Sequence, residues 1–439
     1  YFNELSIFVV YREYIYSNEK IHIFKNIILI VWGTMISRIY FKCLTCNEFI
    51  ITRTQISHGL KQELNFSCPH CETDSRLVLL LDEPPNVKVS FNELENLEYI
   101  DKSYVDQHLA KVVNLSTDFT VPDEKSNTEL YSPFLYQMRE ILEDAFGKSF
   151  SPEKIDGVMG VSNIEELWKD LYKAYKFNIK DNLVQRDKIT NGQELTELIF
   201  RFIGMFIGSS RLERDIDILG SFSKRILQKN KQEFRRLMQD QLLPNLVEKI
   251  NAYMEVFDTF FSNYQEFKQM NLQARLEVET FKDSKVSSVN FRRTKMIYGE
   301  VFEVLGSNIN TVAFLNNIDN LREYDVFQSE KLTYQRYLTS DKAGKMKCFE
   351  GNISIFNIFG REYDSKLRNA THHKWLKYND SSQIITYPIS GASSEKTTLF
   401  YAEYLLKTNN IIISLMLLLS LELVIAFNLG FRLNKKNPL

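Results

Sequence analysis

Two Cys-x-x-Cys pairs constrain this chain more than any other feature of its sequence. Cys43 and Cys46 form the first pair, Cys68 and Cys71 form the second, and 21 residues separate them. A CxxC turn places two sulfurs about one edge of a metal tetrahedron apart, so two such turns at hairpin ends complete a four-thiolate site. Thiolates are soft ligands that favour zinc over hard cations. The spacing therefore predicts one structural zinc ion per chain, with no open position for a catalytic water.

The segments around the two pairs are rich in β-branched and aromatic residues, which is typical of strands. Over residues 36–82 the chain resembles the zinc-ribbon family, and this resemblance implies short β-hairpins whose turns carry the cysteines. Zinc ribbons bind nucleic acid or protein, and the sequence does not distinguish these. His70 lies within the second pair, but four thiolates fill the site, so we expect it to be a bystander. The alternative is a redox pair or unliganded cysteines.

Composition limits the classes of protein that this chain can belong to. Its 439 residues correspond to roughly three domains. With 44% hydrophobic and 25% charged residues, it is neither disordered, collagen-like nor a polytopic membrane protein. Five cysteines are too few for a disulfide scaffold, which indicates a reducing compartment and hence the cytoplasm. The net charge of −2 means that any nucleic-acid binding must come from local patches.

The pattern of apolar residues predicts a mainly α chain with a small N-terminal β region. Apolar residues at three- and four-residue spacing predict helices over 132–146, 163–175, 194–208 and 244–281. The chain begins at Tyr1, so residues 1–34 are expected to be an upstream extension or part of something longer. The predicted divisions are this extension (1–34), a zinc ribbon with a following β or mixed segment (35–121), a helical scaffold or sensor (122–285) and a helical bundle (286–439).

The phrase RNATHH, residues 368–373, combines the side chains that phosphate chemistry needs. Arg368 is always charged and can bind a phosphate through two parallel hydrogen bonds. A histidine titrates near neutral pH and can transfer protons, and His372 and His373 are both present. On a helix, Asn369 would share a face with His373, four residues later. The alternative is a solvated helix end with polar caps.

Arg368-Asn369-x-x-x-His373 resembles the R-x4-6-H motif of the HEPN superfamily, in the RNxxxH form found in bacterial toxin and defence proteins. The resemblance covers about residues 293–430 and implies a helical bundle: a long helix over 296–318, a second within 328–350, the motif helix and an apolar closing helix. It implies a metal-independent endoribonuclease in which a ribose 2′-hydroxyl attacks the adjacent phosphate.

The same resemblance implies a role for each residue of the motif. Arg368 would stabilise the phosphorane, His373 would act as general base or acid, and Asn369 would orient His373 or bind phosphate. The family spacing selects His373, which leaves His372 as a possible auxiliary. Family members commonly form homodimers in which two motifs face one cleft, and a neutralising or sensing partner protein is compatible with this class. The alternative is a HEPN-like fold that binds RNA or protein without cutting RNA.

A basic run at 224–236 predicts a helix that contacts the RNA backbone. It has six cations and Glu233, for a local charge of +5. The alternative is an ordinary solvated helix face. The six cations are Lys224, Arg225, Lys229, Lys231, Arg235 and Arg236.

The apolar segment 411–427 has 14 apolar residues among its 17. A membrane-spanning helix needs about 20 apolar residues, and Glu422 in its middle would be costly in lipid. We therefore expect the closing helix of the bundle and no membrane partner. The alternative is a membrane-tethered zinc-ribbon adaptor, with Arg432, Lys435 and Lys436 following a tail anchor.

Overall fold

The computed structural model of the chain describes residues 36–56, 61–81, 89–106, 108–129, 164–179, 192–276, 284–287, 290–389 and 395–428. A small β region is followed by a mostly helical one. The mainly α prediction is therefore confirmed in part, because the fold is a mixture of strands and helices. The extension predicted over 1–34 and the helix predicted over 132–146 lie outside the described residues.

Seven strands build the described part of the N-terminal region. They are β1 (Ile36–Cys43), β2 (Phe49–Gln55), β3 (Lys61–Ser67), β4 (Asp74–Leu81), β5 (Val89–Glu95), β6 (Leu97–Tyr99) and β7 (Lys111–Ser116). One sheet has the order β6-β1-β2-β7, in which β2 and β7 are parallel and the other neighbours antiparallel. A second, antiparallel sheet has the order β3-β4-β5. The strands predicted around the cysteine pairs are confirmed.

Alternation of side chains explains how the two sheets pack. Neighbouring residues on a strand face opposite sides, so Ile39 and Phe41 of β1 share one face and Tyr40 takes the other. Ile39 and Phe41 are buried with Leu77 of β4 in one apolar cluster to which both sheets contribute. Tyr40 belongs to a separate, smaller cluster. The cysteine-bearing sheets thus have an apolar core of their own.

Helices dominate the rest of the described chain, and many are short. They are α1 (Ile164–Ile179), α2 (Gly192–Ile207), α3 (Ser209–Lys229), α4 (Lys231–Leu237), α5 (Leu246–Phe261), α6 (Tyr264–Leu276), α7 (Phe291–Thr294), α8 (Ile297–Asn308), α9 (Asn310–Asp319), α10 (Tyr334–Thr339), α11 (Lys342–Met346), α12 (Ile353–Phe359), α13 (Ser365–His372) and α14 (Tyr401–Asn428). Helices α1 and α2 confirm the predictions over 163–175 and 194–208, whereas two helices, α5 and α6, replace the single helix predicted over 244–281. Buried apolar side chains from Phe119 to Ala426 form one core, so the boundary between 285 and 286 stays a prediction.

The prediction of a helical C-terminal block is wrong over 377–400, and the long helix predicted over 296–318 is two helices, α8 and α9. Strands β8 (Lys377–Asn379), β9 (Ile384–Pro388) and β10 (Lys396–Phe400) form an antiparallel sheet between α13 and α14. The adjacent β-branched residues in β9 and β10 favour this extended conformation. In place of one helix within 328–350 there are two, because the Asp341 side chain caps the start of α11.

The β region and the helices meet along a joint that is rich in polar groups. The backbones of Val121 and Lys285 exchange two hydrogen bonds of 3.0 Å. From α6, Gln269 Nε2 donates to the carbonyl oxygens of Ser116 and Phe119 at 2.7 and 2.8 Å. Because these groups are buried, each hydrogen bond replaces one that water would otherwise make.

Helix α14 lies within the helical region. Among the described residues it is the one helix long and apolar enough to cross a membrane, and 94% of its most apolar window is buried inside the protein. It packs against α2, α3, α5, α6, α8 and α12. A helix that closes a helical bundle must be buried by the other helices, and α14 meets this requirement.

Glu422 is the charged residue in the middle of this helix, and it is fully buried. Its Oε1 accepts hydrogen bonds from Lys249 Nζ at 2.6 Å and from Thr311 Oγ1 at 2.7 Å. Its Oε2 accepts from the Tyr253 hydroxyl at 2.8 Å. Burial and the Glu422 carboxylate raise the pKa of Tyr253 well above its ordinary value, so this hydroxyl remains a donor. Protein groups thus supply the partners that a charge on this helix needs.

We predict that Glu422→Ala lowers the free energy of unfolding by about 3–5 kcal/mol, because the half-buried Lys249 would lose its counter-charge and the buried Tyr253 hydroxyl would lose its acceptor. Urea denaturation followed by circular dichroism measures the change. Glu255→Ala, at an exposed position of α5, is the control and should stay within about 0.5 kcal/mol of wild type. A loss below about 1 kcal/mol for Glu422→Ala, typical of a surface pair, would contradict the prediction.

Candidate functional site

Two tight turns of the same conformation hold the four cysteines. In the first, Asn47 N donates to the Cys43 carbonyl at 2.8 Å, and Asn47 has a φ of 65°. In the second, Glu72 N donates to the Cys68 carbonyl at 2.8 Å, and Glu72 has a φ of 61°. A positive φ is uncommon outside glycine. Its recurrence directly after both CxxC pairs therefore indicates two equivalent turns.

The four sulfur atoms converge between these turns. Cys43 Sγ lies 3.8 Å from Cys71 Sγ, and Cys46 Sγ lies 3.8 Å from Cys68 Sγ. All four lie within 4.8 Å of one another. A tetrahedral metal with bonds of about 2.3 Å to sulfur requires sulfur–sulfur distances of about 3.8 Å. The cluster can therefore hold a metal ion through the four predicted ligands.

The surroundings of the sulfurs lower the pKa of one thiol and raise the pKa of another. Hydrogen bonds from the Thr73 side chain and backbone lower the pKa of Cys71 to about 6, whereas burial raises the pKa of Cys68 to about 12. A bound cation deprotonates a coordinating thiol outright. His70 Nε2 lies 3.1 Å from the Phe49 carbonyl oxygen, so its ring is directed to the backbone of β2.

Helix α13, which carries the RNATHH motif, is capped at both ends. The Asp364 side chain accepts hydrogen bonds from the backbone of the first turn. At the other end Lys374 has a φ of 57°, and Trp375 N donates to the Ala370 carbonyl at 2.8 Å. This is the Schellman arrangement, in which a left-handed residue satisfies the last carbonyls of a helix. His373 is the residue at which the helix ends.

Arg368, the cation of the motif, is bound by Glu303 of α8. Its Nε and Nη2 both contact Glu303 Oε1, and its Nη1 donates to Asn369 Oδ1 at 2.8 Å. Lys342 Nζ binds the second carboxylate oxygen, Oε2. The Arg368 side chain is 31% exposed, so part of the guanidinium group can be reached from solvent. The Asn369 side chain thus binds Arg368, and it makes no hydrogen bond to His373 within the described structure.

The two adjacent histidines have different surroundings. His372 lies over Gly299, where a Cβ would come within 3.0 Å of His372 Nε2. This nitrogen lies 4.0 Å from Glu303 Oε1 and lacks a hydrogen-bond partner among the residues described. His373 is exposed, and its ring stacks on Trp375 with centroids 4.5 Å apart. The structure therefore turns His372 towards α8 and presents His373 to solvent.

Two members of this cluster, Glu303 and Lys342, are not among the residues that the motif predicts. Glu303 precedes Arg368 by 65 residues, and its place among the apolar residues of 296–318 assigns it only to the polar side of a helix. Lys342 lies near the break between α10 and α11, which the periodicity does not locate. Both residues can be assigned to the site only from the fold, because what identifies them is their contact with the motif cluster and not their position in the sequence.

The basic run at 224–236 is two helices, and the prediction of one basic helix is wrong. Helix α3 ends at Lys229 and α4 begins at Lys231. Asn230 lies between them with φ −153° and ψ 84°, and its Oδ1 accepts from Glu233 N at 3.0 Å. Asparagine is a preferred N-cap residue, which explains the interruption.

Internal ion pairs engage half of the predicted RNA-binding cations. Arg225 and Lys229 bind Asp319 at 3.2 and 2.9 Å, and Arg236 binds acidic side chains of α4 and of the loop after α9. Burial acts to raise the pKa of Asp319, but hydrogen bonds from Arg225 and Lys229 hold it below its ordinary value. An RNA backbone would meet three exposed cations that have no ion pair in the described part of the chain: Lys224, Lys231 and Arg235.

Comparison of the chain with protein-family models, with curated proteins and with solved structures found no match. The function of the two clusters is therefore inferred from the chemistry of their side chains and from their positions. The cysteine cluster has the geometry of a metal site, and the motif cluster has cations and a histidine at a surface.

We predict that the purified chain binds about one metal ion and that Cys71→Ser releases most of it, because a closed structural site uses all four ligands. Elemental analysis of freshly reduced protein gives the metal-to-protein ratio. Cys348→Ser is the matched control, because Cys348 lies outside the cluster and should leave the ratio unchanged. A ratio near zero in the wild type, or equal ratios in the two variants, would contradict the prediction.

Proposed function

We propose that this chain is a metal-independent endoribonuclease that cleaves RNA by attack of a ribose 2′-hydroxyl on the adjacent phosphate. The observation that carries the proposal is the joint access of Arg368 and His373 to solvent, from a helix that is capped at both ends. The ring of His373 has no hydrogen-bond partner among the described residues, so its nitrogens are available to a substrate. Rigid helices position such groups better than loops do.

The proposal also draws on the resemblance of Arg368-Asn369-x-x-x-His373 to the RNxxxH motif of HEPN ribonucleases. Within that superfamily this form of the motif is typical of bacterial toxins and of antiphage defence by abortive infection. The chain would then act on RNA in the cytoplasm, where its thiols remain reduced. A neutralising or sensing partner protein would be consistent with this class.

The motif supplies residues for two parts of the proposed reaction, the first proton transfer and the stabilisation of charge. His373 takes the proton of the 2′-hydroxyl, and the freed oxygen forms a bond to phosphorus. The bond between phosphorus and the 5′ oxygen breaks, and this oxygen takes a proton from solvent water as it leaves. Arg368 stabilises the charge on the phosphorane, with Asn369 beside its Nη1. The products are a 2′,3′-cyclic phosphate and a 5′-hydroxyl end, and His372 is at most an auxiliary because it faces α8.

We further propose that the cysteine cluster holds zinc, with Cys43, Cys46, Cys68 and Cys71 as ligands. Four thiolates prefer zinc over hard cations and form a closed site. The ion would supply structural stability by joining the two hairpin turns, and the proposed cleavage makes no use of it.

A second candidate is a module that binds RNA or a protein without cutting RNA. One observation favours it, namely that Glu303 already occupies Arg368, as a purely structural ion pair would. A membrane-tethered adaptor is less well supported. Its anchor would be α14, whose Glu422 is bound by Lys249 within the protein.

We predict that His373→Ala reduces RNA cleavage by about 10²- to 10⁴-fold, because it removes the proton-transfer group. Arg368→Ala should be comparably severe, and His372→Ala should be mild. Purified full-length protein is incubated with total bacterial RNA, and gels and end analysis detect cyclic-phosphate and 5′-hydroxyl products. Growth and RNA integrity in bacteria that express the wild type or Arg368→Ala provide the same comparison in cells.

Lys366→Ala is the control for this series, because it removes an exposed cation from the same helix. Cleavage should persist during a brief EDTA treatment, and DNA should remain intact because it lacks the 2′-hydroxyl. A requirement for added magnesium would contradict the mechanism. Loss of activity in His372→Ala with retention in His373→Ala would contradict the assignment. RNA that is bound but never cut would support the second candidate.

We predict that the chain is at least a homodimer in which two motif helices lie near a twofold axis, as the HEPN resemblance implies. A twofold contact is self-complementary, so both motifs can share one cleft. Light scattering should give at least twice the chain mass of 51.7 kDa. Light scattering in the presence of RNA uses the Arg368→Ala variant, because we expect this variant to leave the RNA uncut. A strict monomer with and without RNA would contradict the prediction.

A further inference from the structure

Glu303 holds Arg368 by one edge of its guanidinium group. Nε and Nη2 of Arg368 contact Glu303 Oε1, whereas Nη1 lies 2.8 Å from the oxygen of the exposed Asn369. A guanidinium group is a rigid plane with five N–H donors. Fixing one edge therefore fixes the direction of the remaining donors. Those donors lie beside Asn369, at the surface of the motif helix.

Packing fixes Glu303 itself in relation to α13. The adjacent Phe302 stacks on Tyr363 with ring centroids 3.6 Å apart, and Tyr363 directly precedes Asp364, which caps α13. A Cβ at Gly306 would lie 1.9 Å from the Tyr363 hydroxyl, so a side chain at Gly306 would displace this ring. Helices α8 and α13 thus have one register, and it places Glu303 beneath Arg368.

The charge of the cluster is compatible with binding a phosphodiester. Burial acts to raise the pKa of Glu303, but hydrogen bonds from Lys342 and Arg368 hold it below its ordinary value, so the carboxylate is ionised. Two cations share this one carboxylate, so Glu303, Lys342 and Arg368 together carry one net positive charge. A phosphodiester carries one negative charge. Glu303 therefore orients Arg368 without neutralising the cluster.

We propose that Glu303 is a positioning residue for RNA cleavage, whose carboxylate holds the Nε–Nη2 edge of Arg368 so that Nη1 faces the scissile phosphate. This inference rests on the proposed function. Glu303 does not contact the RNA, and its whole effect passes through Arg368. A carboxylate that merely blocked the phosphate site would have the opposite effect, since its removal would accelerate cleavage.

The test compares purified full-length Glu303→Gln, Arg368→Ala and the double variant with wild type. Total bacterial RNA is the probe. The initial rate at which the first cleavage fragment forms is measured at low and at saturating RNA concentrations. Glu303→Gln should lower kcat by about 10- to 100-fold, because a small misplacement of a catalytic group has an effect of this size. KM should change little, since the phosphate-binding charge remains. In the Arg368→Ala background, Glu303→Gln should cause no further loss, because residues that act as a unit are non-additive.

Glu300→Gln is the matched control, because Glu300 lies one turn earlier on α8, is also half-buried and, among the described residues, interacts with His372 and not with Arg368. It should cleave at the wild-type rate. Thermal denaturation establishes that each variant is folded. If Glu303→Gln does not fold, Glu303→Asp replaces it. We then expect the same loss of kcat, and no further loss of kcat when Glu303→Asp is combined with Arg368→Ala.

Three results would overturn the inference: a wild-type rate in Glu303→Gln, a faster rate, or the same fold-loss in the Arg368→Ala background. The second result would identify Glu303 as a blocking group. Failure of the proposed function is distinguishable from these. In that case the wild type cuts no RNA, or Arg368→Ala cuts as well as wild type, and the Glu303 inference is overturned with it.

Discussion

A carboxylate in an apolar core is destabilising by several kcal/mol unless it is paired and hydrogen-bonded. Glu422 meets that condition through Lys249 and Tyr253 of α5 and Thr311 of α9. A displacement of α14 by one turn would move Glu422 among leucines and leave Lys249 without its partner. The apolar residues of α14 are mostly Leu and Ile of similar volume, so they specify its register less strongly than a buried charge does. The polar cluster thus selects one position of α14 against α5 and α9.

That register determines where the candidate site can form. Helix α8 packs against α14, and α13 packs against α8, so the motif helix is placed by two successive contacts. Small residues make the second contact close. Gly299 leaves space for the His372 ring, and Gly306 leaves space for the Tyr363 hydroxyl. Glu303 lies between these two glycines on α8 and therefore meets Arg368. The site is thus a consequence of helix packing as much as of the motif.

The features that could be predicted from the sequence depend on local chemistry. The CxxC spacing determines the positions of Cys43 and Cys71 through two short turns, and the periodicity of 163–175 and 194–208 determines two helices. Features that depend on distant partners were not accessible. Glu303 is recognised only when α8 and α13 are in contact, and the sheet of β8, β9 and β10 consists of strands too short for a clear alternation. The break at Asn230 is an intermediate case, because its capping chemistry is local but the continuous run of cations obscures it.

Charge gives the clearest case in which spatial neighbours change an interpretation. Along the sequence, the run at 224–236 has a local charge of +5. In the fold, four acidic residues outside the run join this surface and lower the local charge from +5 to +1, namely Asp240, Asp319, Glu323 and Asp325. The motif cluster has fewer cations, and within the described part of the chain Glu303 is the carboxylate that binds both Arg368 and Lys342, with His372 Nε2 4.0 Å away. A polyanion binds where cations exceed their acidic neighbours in space. Binding of a phosphodiester depends on the local excess of positive charge and not on the number of lysines along the chain. By that criterion the small motif cluster can bind a phosphodiester as well as the long basic run can.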